Sequence, residues 1–381
     1  MKIGLVTLYR GYNYGTSLQA YALKTYLEQL GYETDIIWKR EGAHSGRDIR
    51  FEKLFRMFKR AILRPNLLKE TVKGYLGNIH NAPSKEIKQK YLEFTEQKLK
   101  VHALSNKQLK EFASSPKTLA VVCGSDQIWK VNAANVDPMF YLQFVPKRKR
   151  VAYAPSFGGA SIPDYNKKII SKYLKSIPYI SVREKSGVDV VYRLTGKKVE
   201  SVIDPTLLID WHELIKPIKE DYVLLYFLDE PADSVLKKVV EVARKKQLKI
   251  YAIPHQFEKY NKYPDIHLKS VGPLEFPSII ANASCVYTDS FHGTAFSVNL
   301  NRPFMTFQRN YKSFKSQSSR ITNFLELFNL SIQYITLEQQ KDFNPDFPQI
   351  DFGNVNQVLK KQREKSYKYL TNTFSDIKKH G

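Results

Sequence analysis

Short apolar runs of strand length alternate with segments of helical period along most of the 381-residue chain. Residues 3–8 form a strand-type run and 10–15 a polar, glycine-containing loop. From Thr16 onward Leu18, Tyr21, Ala22, Thr25 and Tyr26 recur at helical spacing, the helix stops at Gly31, and 34–38 reads as a second strand. The same signal predicts strands over 119–123, 151–154, 179–182 and 199–203, and again over 222–228, 248–253, 283–287 and 304–307. Helical patterns fall at about 232–246, 273–282 and 294–300, between those strands. Strands alternating with helices predict parallel sheets with helices on both faces. Near the end Val355, Val358, Leu359, Leu370, Phe374 and Ile377 recur on a lysine-rich background, predicting one long final helix.

Two α/β domains fit this rhythm: 1–210, a linker over 211–220 that contains Pro217, 221–345, and a final helix in 346–381. Residues 39–110 break it. Within them, 50–63 places Phe51, Leu54, Phe55, Phe58 and Ile62 on one helical face, bordered by Arg50, Lys53, Arg56, Lys59 and Arg60. Such a basic amphipathic helix packs on its own protein or lies on an anionic membrane surface. Residues 81–111 continue as lysine-rich helical connection, and 255–270 look irregular, placed to overhang a cleft.

Charge sharpens the picture. With 60 Lys and Arg against 37 Asp and Glu the formal charge is +23, which implies acidic company. No nucleic-acid motif accompanies it, and the run Lys147-Arg148-Lys149-Arg150 reads as a solvated loop before a strand. A mean hydropathy of −0.41, with no apolar stretch near the roughly 20 residues of a membrane span, predicts a cytoplasmic protein. Cys123 and Cys285 sit in apolar runs without metal-ligand spacing and read as reduced, structural thiols; no metal site is expected.

The candidate chemistry gathers at strand ends, where open α/β sheets bind ligands. Residues 288–304 read TDSFHGTAFSVNLNRPF. A strand that empties through Ser290, Phe291, His292 and Gly293 into a helix start offers unpaired N–H groups, close backbone approach at Gly293 and one side chain that titrates near neutrality. Ser125 and Asp126 follow the strand at 119–123. Arg183 and Glu184 cap the one at 179–182, where a guanidinium fork can grip a phosphate or carboxylate. Asn13, Gly15 and Thr16 open the first helix as either a helix cap or a ligand cradle. Asp204 reads equally as a cap or a site residue.

The wording of these blocks resembles the polysaccharide pyruvyl transferase family. The resemblance runs through NYGTSLQAYAL (13–23), CGSDQIW (123–129), APSFG (154–158), SVREKSG (181–187), DPTLL (204–208) and the TDSFHG segment closed by Pro303-Phe304. It implies two Rossmann-like domains facing a cleft, glycosyltransferase-B-like, with the final helix crossing back to the first domain. It also implies transfer of pyruvate from phosphoenolpyruvate to a saccharide as a cyclic ketal, with no cofactor beyond the donor itself. On that resemblance His292 is the acid/base, with Arg183 and Asp126 beside it. Ser290, Gly293, Thr294 and Arg320 join Arg183 and His292 around the donor, with Arg309, Lys312 and Lys315 competing for the place of Arg320. Asn13, Gly15, Gln19, Ser125, Asp126 and Glu184 fall on the acceptor side. The resemblance leaves the saccharide acceptor either soluble or lipid-linked, the latter with peripheral contact at the inner face of an anionic membrane, and no nucleic acid is expected. A nucleotide-sugar glycosyltransferase and a non-catalytic basic protein that binds membrane or acidic polymer are the rival readings.

Overall fold

The computed structural model describes residues 1–40, 47–48, 83–130, 135–159, 162–309 and 319–380. The basic helix expected over 50–63 lies outside them, as do Lys312 and Lys315. The first sheet contains β1 (Lys2–Val6), β2 (Glu33–Lys39), β3 (His102–Leu104), β4 (Thr118–Cys123), β5 (Arg150–Ala152), β6 (Tyr179–Val182) and β7 (Glu200–Ser201), in the order β3-β2-β1-β4-β5-β6-β7. The second contains β8 (Tyr222–Phe227), β9 (Lys249–Pro254), β10 (Ile266–Leu268), β11 (Cys285–Thr288), β12 (Phe304–Phe307) and β13 (Tyr334–Ile335), in the order β10-β9-β8-β11-β12-β13. All pairings in both sheets are parallel. Central strands β4 and β8 are buried along their whole length, which is why they read as unbroken apolar runs rather than alternations.

The helices that matter for the site are α1 (Tyr14–Gln29), α2 (Lys85–Phe94), α3 (Asn106–Ser114), α4 (Asp164–Lys175), α5 (Lys185–Thr195), α6 (Asp233–Lys245), α7 (Phe276–Ala281), α8 (Phe291–Asn299), α9 (Ser319–Leu327) and α10 (Phe352–His380). The two domains meet along the carboxyl ends of their strands. Tyr14 on α1 donates to Val271 O at 2.8 Å and stacks on Phe276 at 4.6 Å, while Lys90 on α2 donates to Ser270 O at 2.8 Å. One apolar core runs from Ile3 through Tyr14, Tyr226 and Phe296 to Phe374, so the domains share a seam rather than a hinge across solvent. Helix α10 crosses back to the first domain: Tyr369 donates to Ala152 O at 2.9 Å, and Phe374 packs its ring against Tyr32. This is the glycosyltransferase-B-like arrangement of two Rossmann-like domains about a cleft.

Four local expectations need correction. The 81–111 stretch is not wholly helical, because His102–Leu104 adds an edge strand too short and too exposed to show a period. Residues 255–270 contain a short turn, Glu258–Lys262, and the edge strand Ile266–Leu268. The basic run at 147–150 is not simply solvated. Lys149 donates to Ser115 O and Thr118 O, and Arg150 to Val145 O, so long cationic stems neutralise carbonyls left over at strand and helix ends. Helix α8 starts at Phe291, three residues before the apolar pattern becomes periodic, and so His292 lies in its first turn. Among the described residues, no helix is long and apolar enough to cross a membrane. Both cysteines are free and buried, and burial pushes the Cys285 thiol up to about 12.

Candidate functional site

The segment that ends β11 builds the second-domain half of the site. Thr288 Oγ1 donates to Tyr226 O and accepts from Ser290 N, turning the chain, and Ser290 then caps α8 by accepting from Gly293 N at 3.4 Å. Asp289 faces the other way. Its carboxylate accepts from Leu228 N, Asp229 N and Arg309 Nε, at 2.8, 2.9 and 3.0 Å, and ties the ends of β8 and β11 together. Burial pushes this carboxyl above its ordinary value despite Arg309. Arg309 is therefore engaged with Asp289, whereas Arg320, buried at the start of α9, brings its charge to bear on Asp126.

The first-domain half converges on Arg183. Its Nη1 donates to Asp204 Oδ2 at 2.7 Å and lies 3.8 Å from Asp126 Oδ1, while its Nε lies 3.7 Å from Glu184 Oε2. The guanidinium rests over the Phe291 ring at 4.4 Å, a desolvated cation–π contact that crosses the domain seam. Three carboxylates around one guanidinium would be untenable if they were neutralised by nothing else. His292 supplies a further group, its Nε2 3.7 Å from Asp204 Oδ2. Burial pushes the Asp204 carboxyl up, but His292 and Arg183 overcome this and hold it well below the usual carboxylate range. Burial likewise raises Asp126, and the charges of Arg183, His292 and Arg320 with the Thr16 hydroxyl, which donates at 2.8 Å, bring it below its ordinary value.

Arg183, Asp126, Ser125, Gly15, His292 and Arg320 are thus brought together from separate blocks of sequence. Gly15 earns its place by absence of a side chain. A Cβ there would stand 1.9, 2.1 and 2.5 Å from Nδ1, Cγ and Cε1 of His292, over the face of the ring. Gly15→Ala is expected to push the imidazole aside and lower kcat about 100-fold, the scale of an ångström misplacement. Steady-state assays beside unfolding curves would separate that loss from a packing cost of about 1–3 kcal/mol.

Other expected site residues serve the scaffold. Gln19 is fully buried, its Nε2 donating to Thr7 Oγ1, Leu8 O and Thr16 O and its Oε1 accepting from Ser125 N, which exhausts the amide. A Cβ on Gly293 would meet Thr288 Oγ1 at 2.4 Å and Tyr226 Cδ1 at 2.8 Å, so packing alone requires glycine there. Thr294 bonds Ser290 O and Thr306 Oγ1 in the interior. Asn13 caps α1 by accepting from Thr16 N. Ser125, although at the site, has its hydroxyl shared between Ala154 O at 2.9 Å and Asp204 Oδ2 at 3.4 Å. Glu184 is divided: Oε1 accepts from Ser156 Oγ and Phe157 N, while Oε2 is buried without a hydrogen-bond partner.

Two contributors had weaker signals. Asp204 caps the turn Pro205–Leu207 with Oδ1 and accepts from Arg183 with Oδ2. Phe291 reads from the sequence as part of the turn ahead of the helix, and nothing in its spacing announces the arginine above it.

Comparison with known proteins adds the following. The solved structures that resemble this chain include the UDP-GlcNAc 2-epimerase from Neisseria meningitidis bound to UDP-GlcNAc (12% identity, TM-score 0.46, covering 96% of this chain and 100% of that one). They also include the UDP-N-acetylglucosamine 2-epimerase from Rickettsia bellii (10%, TM-score 0.48, 99% and 98%) and MurG from Acinetobacter baumannii (10%, TM-score 0.42, 99% and 99%). No curated protein matches it in sequence. The family model for polysaccharide pyruvyl transferase matches residues 13–311, a span that holds both halves of the site but for Arg320, and the chain belongs to that family.

Proposed function

We propose that the chain transfers pyruvate from phosphoenolpyruvate to a saccharide, forming a cyclic ketal and releasing phosphate. One observation carries this reading. Arg183 Nε and Nη2 are both buried without hydrogen-bond partners, beside His292 at a place where two domains meet. Buried donors left unpaired are costly, and a cluster of them marks a site prepared for an anion. Phosphoenolpyruvate presents a phosphate and a carboxylate, and the fixed guanidinium groups of Arg183 and Arg320 suit both. His292 delivers a proton to the methylene carbon, C3, and the double-bond electrons form the new C–H bond. The cationic C2 is attacked by one acceptor hydroxyl, which loses its proton. Phosphate departs with the electrons of the C2–O bond, and a second hydroxyl attacks C2, loses its proton and closes the ketal. Guanidinium groups already in place stabilise the leaving phosphate without reorganisation. Asp126, ionised and held by Thr16, is suited to receive a hydroxyl proton.

The charge of +23 favours an acceptor presented at an anionic membrane surface on the cytoplasmic side, such as a lipid-linked saccharide intermediate of cell-surface or exopolysaccharide assembly. The direct test is phosphate release from phosphoenolpyruvate by the wild-type protein, with lipid-linked and soluble glycosides in turn. Release that requires a glycoside is expected. Turnover of a nucleotide sugar with no consumption or binding of phosphoenolpyruvate would instead establish a glycosyltransferase.

A further inference from the structure

We propose that Asp204 is the positioning residue of His292: it holds the imidazole proton on Nε2, leaving Nδ1 as the nitrogen that exchanges a proton with substrate. The proposal rests on the reading of His292 as the acid. Its geometry begins with the turn that carries Asp204. Thr206 N and Thr206 Oγ1 both donate to Oδ1, at 3.0 and 2.8 Å, so the carboxylate cannot rotate and Oδ2 is committed to the cleft side. Oδ2 receives Arg183 Nη1 at 2.7 Å and Ser125 Oγ at 3.4 Å, and faces His292 Nε2 at 3.7 Å. That nitrogen is buried with no other hydrogen-bond partner. Closing the gap by roughly 0.8 Å would complete an N–H to carboxylate bond of ordinary length.

The register between the two residues is built into the fold. Helix α8 carries His292 in its first turn and Asn299 at its end. Asn299 Nδ2 donates to Thr206 O at 2.8 Å, and Trp211 Nε1 donates to the same oxygen at 2.7 Å. Arg363 on α10 bridges Leu207 O and Asn299 Oδ1, at 2.7 and 2.8 Å. The carboxyl end of the helix is thus fastened to the 204–207 turn, at a point two residues from Asp204. Gly15 covers one face of the imidazole and Phe291 meets it edge-on at 5.2 Å, which fixes the ring plane. A second-domain acid is therefore oriented by a first-domain carboxylate.

Asparagine at 204 makes a sharp probe. Thr206 donates to Oδ1 through both its N–H and its hydroxyl, and these two bonds select the amide oxygen for that place at the cost of the Arg183 Nη1 bond to Oδ2. The amide NH₂ would then face Nε2, which must become an acceptor, and the proton would move to Nδ1. The measurement is the ¹⁵N chemical shift pair of the neutral His292 ring in the free, full-length protein labelled at histidine, assigned with His292→Gln. Wild type is expected to carry the proton predominantly on Nε2, and Asp204→Asn predominantly on Nδ1, with kcat reduced about 10⁴-fold as for a wrong tautomer elsewhere. A wild-type ring protonated on Nδ1 overturns the proposal even if the variant does not fold. So does a folded Asp204→Asn protein with wild-type kcat. Absence of any phosphate release by wild type would sink the donor reading instead, and the tautomer would still be decided by the spectrum.

Discussion

His292→Ala is expected to lower glycoside-dependent phosphate release by about 10²–10⁴-fold, the usual worth of a positioned general acid. The KM for phosphoenolpyruvate should move far less, because the guanidinium groups of Arg183 and Arg320 remain. The fold should survive, because removal of the buried ring leaves Asp204 still bonded to Arg183, Ser125 and Thr206. His292→Gln, closer in volume but without an acidic N–H, should be as inactive, which separates proton transfer from packing. Circular dichroism would confirm that both variants are folded, and phosphate release at saturating donor would give kcat. A variant that keeps wild-type kcat would take His292 out of the proton transfer altogether.

The sequence made the sheets legible because parallel strands buried on both faces leave unbroken apolar runs, as at Thr118–Cys123 and Tyr222–Phe227. It was less able to date the start of α8. Ser290 is a strong cap, but Phe291, His292 and Gly293 are weak helix formers, and tertiary contacts at Thr288 and Tyr226 decide the matter. Residues at strand ends were found because their polar character interrupts apolar runs. What they do there depends on partners far along the chain. Gln19 and Ser125 look equally apt for a sugar hydroxyl, yet the Gln19 amide bonds Thr7, Ser125 N and backbone carbonyls, and the Ser125 hydroxyl goes to Ala154 O and Asp204. Gly15 carries the opposite lesson. Its glycine is explained only by a histidine 277 positions later in the other domain, a relation that no local pattern encodes.

Arg183→Met is expected to cost about 3–5 kcal/mol of stability at neutral pH, the range for removing one partner of a buried ion pair, as well as donor binding. Methionine matches the stem but leaves Asp204, Asp126 and Glu184 buried around a neutral thioether. Of the two groups that keep the Asp204 carboxyl low, Arg183 is the permanent one, at 2.7 Å and charged at every working pH; His292, at 3.7 Å, contributes only when protonated. The pH dependence gives a sharper test than the magnitude. In wild type the folded Asp204 carboxyl lies below its unfolded value of about 3.9, so its contribution is fully present above that pH and is lost as pH falls towards the folded value. Without Arg183, burial is opposed by less, and the carboxyl moves upward. Protonation then relieves the variant where it harms the wild type. The stability difference between them should therefore shrink as pH is lowered from 7 towards 4.5, read from urea unfolding at each pH. A deficit that stays constant across that range, or one below about 1 kcal/mol at pH 7, as for exposed pairs, would mean that Arg183 does not neutralise the buried carboxylates, and the electrostatic account of the site would fail with it.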